Sequence, residues 1–447
     1  MLQWMSKDGR VLLLSRAIRG VGYGFLSVVL AIYLRLLGYD EVSIGILFTA
    51  TLVSSVAFTI LAGILERRVG RRRMLVLFAA LMSAAGSIFV ASTNYVALLL
   101  AALVGTINVT GGEVGPFLTV EQAMIPQTCS QERRTLAFAW YSVAGAIATS
   151  AGALVGGLPP FLQSRGLSLL DSFRPVFLLY SLIGVATAIL YLKLSRNVES
   201  PSSRRHGQSA QALLSPRSKR LIAKLSGLYA LDSFGGGFVL QSIVSYWFYA
   251  RFGASLEQIS LIFFAAGLLT ALSFLAAERL ARAVGLVKTM VFTHLPSNVL
   301  LILVPLAPSL TGAMALYLAR MSLSQMDVPT RQSYTVAIVR QEERVAAAGF
   351  TNVSRNLAQS ISPSFSGYAL QFVSLSFPFF IGGGLKIAYD IALYLSFRVL
   401  KPPEEFRPTD SDPEQQQPPA VEHGGASTGA AVGQPQPPER SPLTNER

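Results

Sequence analysis

A chain of 447 residues that is 51% hydrophobic and only 14% charged, with a mean hydropathy of +0.48, holds too much apolar side chain for one soluble domain and reads as a polytopic membrane protein. Its net charge of +13 would suggest a nucleic-acid partner in a soluble protein. Here the cations cluster in the turns between apolar runs, which excludes that partner and points to membrane sidedness instead. The single Cys129 excludes an internal disulfide, and nothing in the pattern calls for a metal or a cofactor.

Apolar runs of about 20 residues, enough to cross a hydrocarbon core of roughly 30 Å, recur along the chain. They predict twelve transmembrane helices, at 11–37, 42–65, 74–94, 96–125, 135–158, 175–194, 221–250, 257–277, 287–306, 311–338, 346–372 and 376–399. The opening "MLQWMSKDGR" has no signal-peptide cleavage pattern, so the first helix is expected to stay in the mature protein. Basic residues crowd alternate loops: Arg67, Arg68, Arg71, Arg72 and Arg73 after helix 2, Arg133 and Arg134 after helix 4, Lys193 to Lys224 between helices 6 and 7, Arg279, Arg282 and Lys288 after helix 8, Arg340 and Arg344 after helix 10. The positive-inside rule makes these loops, and hence both termini, cytoplasmic. The expected organisation is a first bundle over 1–195, a cytoplasmic linker over 196–220, a second bundle over 221–401 and a disordered tail over 402–447, where "PPEEFRPTDSDPEQQQPP" holds too little apolar surface to offset ordering entropy.

The two halves superpose at an offset of about 213 residues. Gly24-Phe25 falls on Gly237-Phe238, and "GYDEVSIGILF" (38–48) on "GASLEQISLIFF" (253–264). "RRVGRRRM" (67–74) falls on "RAVGLVKTM" (282–290), with Gly70 on Gly285; Pro116 falls on Pro329, "QERRTLAFA" (131–139) on "EERVAAAGF" (342–350), and "SAGALVGG" (150–157) on "SISPSFSG" (360–367). Landmarks in the same order mean two six-helix units in tandem, both entering from the same side.

The loop "GILERRVGRRRML" (63–75), with Gly63, Arg68, Gly70, Arg71 and Arg72, resembles the signature of the major facilitator superfamily, although Arg67 stands where that family has an acid and Glu66 lies one place earlier. "GALVGG" (152–157), with Gly152, Gly156 and Gly157, is similar to the glycine-rich fifth-helix motif of family antiporters, with Ala153 in place of proline. Its second-half counterpart carries Pro363 and Gly367. The helix-4 arginine motif often tied to proton coupling is missing from "LLLAALVGTINVTGG". The resemblance spans residues 10 to 400. It implies an all-α membrane protein, twelve transmembrane helices as two pseudo-symmetric six-helix bundles (the MFS fold), working by alternating access, with Gly63, Glu66, Arg68, Gly70, Arg71, Arg72 and Gly285 in a cytoplasmic gate and Gly152, Gly156, Gly157, Pro363 and Gly367 at helix-packing hinges.

Charges inside membrane helices are costly unless they face water or a partner. They fall on helix 1 (Arg16, Arg19), helix 4 (Glu113, Glu121), helix 7 (Asp232), helix 10 (Arg320, Asp327, Arg331) and helix 11 (Arg355). In the resembled fold, helices 1, 4, 7 and 10 line the central cavity, so Arg16, Arg19, Glu113, Asp232, Arg320, Asp327, Arg331 and Arg355 are the candidate substrate and proton pathway. Either they form an inner gate of ion pairs across the bundles, or the arginines bind an anion while a carboxylate (Asp232, Glu113 or Asp327, in that order) takes and releases a proton. Arg19 falls on Asp232 in the repeat, so these two are expected to meet near the molecular axis. Lys386 and Asp390, four apart on helix 12, read as a local ion pair, and His294 as a packing residue. Tyr23, Asn108, Tyr229, Gln241, Tyr246, Trp247, Asn352, Asn356 and Gln359 are candidate cavity-lining groups.

These readings exclude an enzyme: no paired catalytic acids or His/Asp motif sits at a membrane surface, and no catalytic or metal residue is assigned. The expected activity is secondary active transport of small solutes across the cytoplasmic membrane. The expected partners are an unidentified small-molecule substrate, protons and the lipid bilayer, with the monomer as the working unit. Proton-coupled efflux of amphipathic or drug-like compounds leads, uptake or exchange of organic or inorganic anions is the alternative, and a transporter-like sensor or scaffold is the reading from another class.

Overall fold

The computed structural model describes residues 4–112, 114–130, 133–199, 215–340, 343–398 and 400. The described chain is all-α. Nine crossings are single helices: α1 (Lys7–Leu36), α2 (Glu41–Val69), α3 (Arg71–Ala91), α6 (Arg134–Val155), α8 (Arg174–Leu192), α11 (Leu256–Val284), α12 (Leu286–Leu303), α15 (Arg344–Phe372) and α16 (Phe377–Phe397). The fourth crossing is broken into α4 (Tyr95–Val104) and α5 (Pro116–Met124), the seventh into α9 (Pro216–Gly237) and α10 (Gln241–Phe252), and the tenth into α13 (Leu310–Ser324) and α14 (Asp327–Ala337). A short helix α7 (Leu158–Ser164) joins the fifth and sixth crossings. The predicted tail lies outside the described residues, as do 200–214 of the predicted linker, and residues 216–220, assigned to that linker, already belong to α9.

Helix starts follow from local chemistry. Ser6, Asp40, Asn94, Ser215, Ser255 and Ser309 each accept a backbone N–H of the first turn of the helix they precede, satisfying donors that no intrahelical carbonyl can reach. Ser255 and Gln258 form a reciprocal capping box. Eight described helices are long and apolar enough to cross a bilayer. The crossings that miss that test are the fourth, seventh and tenth, which are interrupted, and the eleventh, α15, which is rich in polar residues. Irregular or polar backbone at membrane depth is tolerated where it faces protein or a wet cavity rather than lipid, so these four are marked as the crossings that face inward.

Small residues set the close helix approaches, as expected where lipid removes any hydrophobic drive between helices. On α1 a Cβ at Gly24 would run into the backbone of α6 at Thr149, Gly152 and Ala153. Gly152 likewise abuts the Val21 backbone, and Gly156 abuts Val28. Their second-half counterparts do different work, since on α15 the Pro363 carbonyl faces Gly45 and Gly367 faces the Glu41 carbonyl, both on α2. One hinge motif therefore packs within the first bundle while its repeat packs across to the other.

Contacts between bundles concentrate at the end where α1 finishes and α2 begins. Tyr246 Oη donates to Glu41 Oε1 at 2.5 Å, Gln241 Nε2 to Ser27 Oγ at 2.9 Å, and Ser245 Oγ to the Val28 carbonyl at 2.6 Å. Thr49 Oγ1 receives both the backbone N–H (3.0 Å) and the hydroxyl (2.8 Å) of Ser364. The molecule is closed at that end.

Candidate functional site: two charge clusters and the cavity between the bundles

In the first bundle, Arg19 on α1 is fully buried and its guanidinium forks onto Glu121 of α5, with Nη2 to Oε2 at 2.6 Å and Nη1 to Oε1 at 3.1 Å. Tyr191 of α8 donates to Oε1 at 2.7 Å, Tyr141 of α6 donates to Oε2 at 2.5 Å, and Arg19 also bonds the Tyr191 hydroxyl. The Phe117 ring lies 4.4 Å from the guanidinium carbon. Four crossings thus converge on one desolvated ion pair whose lone pairs and protons are taken up, the condition under which such a pair is tolerated. Arg16, one turn earlier, stands 5.0 Å from the Tyr141 ring centroid and reaches the cavity.

The second bundle repeats the arrangement with signs inverted. Asp232 on α9 accepts Lys386 Nζ of α16 at 2.6 Å on Oδ1 and faces Arg331 Nη1 of α14 at 3.4 Å on Oδ2. Arg331 also pairs with Asp327 one turn earlier at 2.6 Å. His294 Nδ1 lies 2.8 Å from Asp390 Oδ1, while Asn298 Nδ2 donates to Asp390 Oδ2 at 2.8 Å.

Two expectations are corrected here. Arg19 and Asp232 do not meet, because each side chain turns into its own bundle, where buried partners satisfy it. Lys386 and Asp390 do not pair with each other either: Lys386 reaches Asp232, and Asp390 reaches His294 and Asn298.

Between the bundles the broken crossings face one another. The unwound residues 105–112 and 114–115 of the fourth crossing include four glycines, of which Gly111 and Gly115 have φ of +71° and +102°, a backbone region open chiefly to glycine. Asn108 pins this segment by donating to the Gly112 carbonyl at 2.6 Å and accepting the Thr110 N–H at 2.8 Å. The Val109 carbonyl takes the Ser242 N–H at the start of α10 (3.3 Å). A cavity of ≈ 380 Å³ lies beside these breaks, lined by Arg16, Thr110, Gln122, Ser142, Gln241 and Gln325 among others. A second, of ≈ 470 Å³, shares Gln122 and Ser142 with it and is lined by Tyr229, Arg331, Thr335, Asn352 and Arg355. Both face away from the closed end.

The charged residues on these walls are Arg16, Arg331 and Arg355; no carboxylate lines either cavity among the described residues. Arg355 Nε donates to Ser233 Oγ at 3.1 Å, and among the described residues no carboxylate is within ion-pair distance of its guanidinium. Arg320 lines neither cavity, and its Nη1 rests 3.2 Å from Met321 Sδ. Glu113 lies outside the described residues. Of the other polar candidates, Tyr229, Gln241 and Asn352 reach a cavity; Asn108 shapes the unwound segment; Tyr23 packs on Tyr180, Trp247 on Phe379, and Tyr246 closes the far end on Glu41. Asn356 and Gln359 line neither cavity. Gln122 and Ser142, common to both cavities, stood out in no sequence pattern because a lone amide and a lone hydroxyl carry no spacing signal.

At the basic-loop end, Gly70 takes φ +86° between α2 and α3 and supplies no side-chain cap. Glu199 supplies it, accepting the Arg71 N–H at 2.7 Å and the Arg72 N–H at 3.2 Å, a carboxylate at a positive helix end. Arg71 Nε pairs with Glu66 at 2.5 Å and Arg72 donates to the last-turn carbonyl of Leu192 at 2.6 Å. Glu66 thus takes an arginine from one place earlier than the family pattern, and the motif latches crossings two, three and six of one bundle. Arg68 is exposed, and a Cβ at Gly63 would meet nothing. Gly285, at φ +93°, makes the equivalent turn between α11 and α12.

The profile of the Major Facilitator Superfamily matches residues 12–319 and again 225–435. The chain belongs to that superfamily. It is a multi-pass membrane protein and a transporter of solutes rather than an enzyme. It is 27% identical over 422 residues to the uncharacterized membrane protein YJR124C of Saccharomyces cerevisiae (strain ATCC 204508 / S288c), covering 88% of this chain and 94% of that one. Among solved structures it is similar to the nucleoside transporter NupG, with a TM-score of 0.68 at 15% identity over 88% of this chain and 99% of that one. It is also similar to a D-xylose-proton symporter, with a TM-score of 0.66 at 16% identity over 86% and 97%.

The second bundle has its own latch at the same end. Glu343 accepts the Ser215 N–H at 2.6 Å, the Ser218 hydroxyl at 2.7 Å and Arg340 Nη2 at 3.1 Å. The Arg340 hydrogen bond first, then those from Ser215 and Ser218, hold the Glu343 carboxyl well below its usual range. A depressed folded value stabilises the fold above the ordinary glutamate range, near about 4.3, and that contribution is lost as pH falls through the folded value. Amide exchange at Ser215 to Ser218, corrected for intrinsic rates, should therefore stay slow from pH 7 down into the ordinary carboxylate range. Glu343→Gln should speed it roughly tenfold at neutral pH, and equal protection in both proteins would remove this latch.

Proposed function

We propose that this transporter carries small polar anions by alternating access and couples their movement to protons. The observation that carries the reading is Arg355, a cation with no carboxylate at ion-pair distance among the described residues, standing beside Arg331 on the wall of a hydroxyl- and amide-lined cavity. A guanidinium in such a site is stabilised by an anionic guest, which it meets with a planar fork of donors. The basic-loop end is cytoplasmic on the positive-inside rule, so the open cavity faces the cytoplasm. The bundles then rock about the breaks in crossings four, seven and ten, and the Glu66–Arg71–Glu199 latch keeps the gate loop rigid as they do.

The glycines of α6 that suggested efflux of amphipathic compounds are accounted for by packing on α1, whereas Arg355 on the cavity wall has no carboxylate at ion-pair distance among the described residues. An anion that draws Arg331 and Arg355 into the cavity adds negative charge next to the second cluster and raises its hold on a proton, so anion and proton load together. The protein acts as a monomer, since one chain contains both bundles and the path between them.

Purified protein should be stabilised against heat by gluconate, malate or inorganic phosphate and not by tetraphenylphosphonium. Arg355→Gln should weaken the effective anion about tenfold to a hundredfold, the worth of a charged hydrogen bond. Stabilisation by the hydrophobic cation alone would overturn the anion reading in favour of drug efflux. Gradient-driven flux of the stabilising anion in vesicles separates a transporter from a sensor or scaffold.

A further inference from the structure

His294 and Asp390 lie on α12 and α16, crossings nine and twelve, away from the cavity walls, and neither has a place in the reading above. We infer that this pair holds one proton in the core of the second bundle and that it is the coupling proton of the anion transport proposed above, on which this inference rests.

Hydrogen-bond chemistry at the imidazole leads to that assignment. Asp390 is fully buried, and its close partners are His294 Nδ1 at 2.8 Å and Asn298 Nδ2 at 2.8 Å. An ionised carboxylate only accepts, so opposite an ionised Asp390 Nδ1 is the donor and carries a hydrogen, and opposite a protonated Asp390 the carboxylic O–H donates to Nδ1 instead. The other nitrogen, Nε2, faces a second carboxylate oxygen, Asp232 Oδ1, at 3.7 Å. A neutral ring with its hydrogen on Nδ1 would aim the Nε2 lone pair at that oxygen, whereas a doubly protonated ring presents an N–H to each acid. Charge gives the same answer. Asp232 has Lys386 at 2.6 Å and Arg331 at 3.4 Å, and Asp327 has Arg331 at 2.6 Å. Among the described residues Asp390 has neither lysine nor arginine at ion-pair distance, and an uncompensated carboxylate at membrane depth is strongly disfavoured. One proton on the pair removes that cost.

The surroundings allow communication with the cavity. Facing His294 are Asp390 and the Tyr389 ring from α16, Asp232 from α9, and Asn298 from its own helix, while Lys386 of α16 reaches the same Asp232 oxygen. Behind Asp232 stand Arg331 and Asp327 from α14, and Arg320 of α13 interacts electrostatically with the same carboxylate. Helix α11, also packed on α12, presents no titratable group to the ring among the described residues. Arg331 therefore touches the cavity on one side and Asp232 on the other, and Asp232 touches His294. Asp232 itself, clasped by two cations, stays ionised and serves as the bridge rather than the proton carrier. An anion arriving at Arg331 strengthens the negative field at the imidazole and favours its second proton; when the anion leaves, that proton departs from Nε2 and the neutral ring keeps its Nδ1–H on Asp390.

The chain's other histidines are His206 and His423. With both replaced by alanine, a 15N-histidine label reports on His294 alone. At pH 7 the full-length protein should show a doubly protonated ring, and Asp390→Asn should show a singly protonated one. A singly protonated ring in the unsubstituted cluster, with no carboxylic-acid infrared band lost in Asp390→Asn, overturns the inference. In vesicles loaded with a pH gradient, uptake of labelled gluconate or phosphate should follow the gradient, and His294→Gln should lose at least tenfold of that dependence while retaining gradient-free exchange of the same anion. Unchanged gradient dependence in His294→Gln overturns this assignment alone. A protein that binds gluconate or phosphate but ignores the gradient even without substitution overturns proton coupling itself and leaves the anion reading standing.

Discussion

Glu121→Gln should destabilise the protein by about 3–5 kcal/mol, visible as a large fall in the midpoint of thermal unfolding in detergent. The substitution leaves the Arg19 charge in a site with no solvent exposure, facing Tyr191 and the Phe117 ring but no anion. It also gives Tyr141 and Tyr191 an amide in place of two carboxylate oxygens, so one acceptor becomes a donor. Removing both charges is a different experiment. Arg19→Met with Glu121→Leu deletes the stranded charge together with its partner, and replacing a buried pair by apolar side chains of similar volume is often neutral or better. The double variant should therefore be more stable than Glu121→Gln alone. Equal midpoints for Glu121→Gln and the unsubstituted protein would mean that Arg19 is compensated elsewhere.

The second large effect concerns Asp232. Asp232→Asn should cost about 3–5 kcal/mol, because Lys386 and Arg331 then lose a shared anion within the bundle core. Adding Lys386→Met should recover part of that loss, since it removes the cation left without its carboxylate, whereas Arg331 keeps Asp327 at 2.6 Å. Charge swap with Arg19 should recover nothing: in Arg19→Asp with Asp232→Arg, each new charge enters a cluster of its own sign, beside Glu121 in one bundle and beside Lys386 and Arg331 in the other. Sites with no shared partner add, to within about 0.5 kcal/mol, so the double swap should be as damaging as the two single changes together. A double swap more stable than either single variant would place the two side chains against each other in some populated state, as a gate across the bundles requires.

Much of the architecture was legible in the chain because its signals are local. Twelve apolar runs, the basic loops and the repeat need only composition and order to be seen, and the same six-helix unit appears twice in the order of residues alone. The interruptions were partly legible as well: "GTINVTGGEVG" carries four glycines in eleven residues, and "FGGGFV" precedes the break between α9 and α10. Hydropathy spans run through them as continuous helix, because an average over a window does not register where backbone hydrogen bonding stops. The charged residues on helices 1, 4, 7 and 10 were also found. Their partners were not, since the repeat relates Arg19 to Asp232 by position, and pseudo-symmetric positions can each point into their own bundle.

His294, Lys386 and Asp390 show the same limit from the other side. Assigned to peripheral helices, they read as packing and as a local pair, because spacing of four along one helix is visible in sequence while a neighbouring helix is not. Sequence by itself determined the family, the membrane crossings and which of them carry charged residues, all of which depend on residue type and order along one chain. Tertiary structure alone decided which charges neutralise each other, that Arg355 is left to the cavity, and that a histidine sits between two carboxylates. Electrostatic pairing falls off over a few ångströms through a low-dielectric core, so it is set by which faces of distant helices are pressed together.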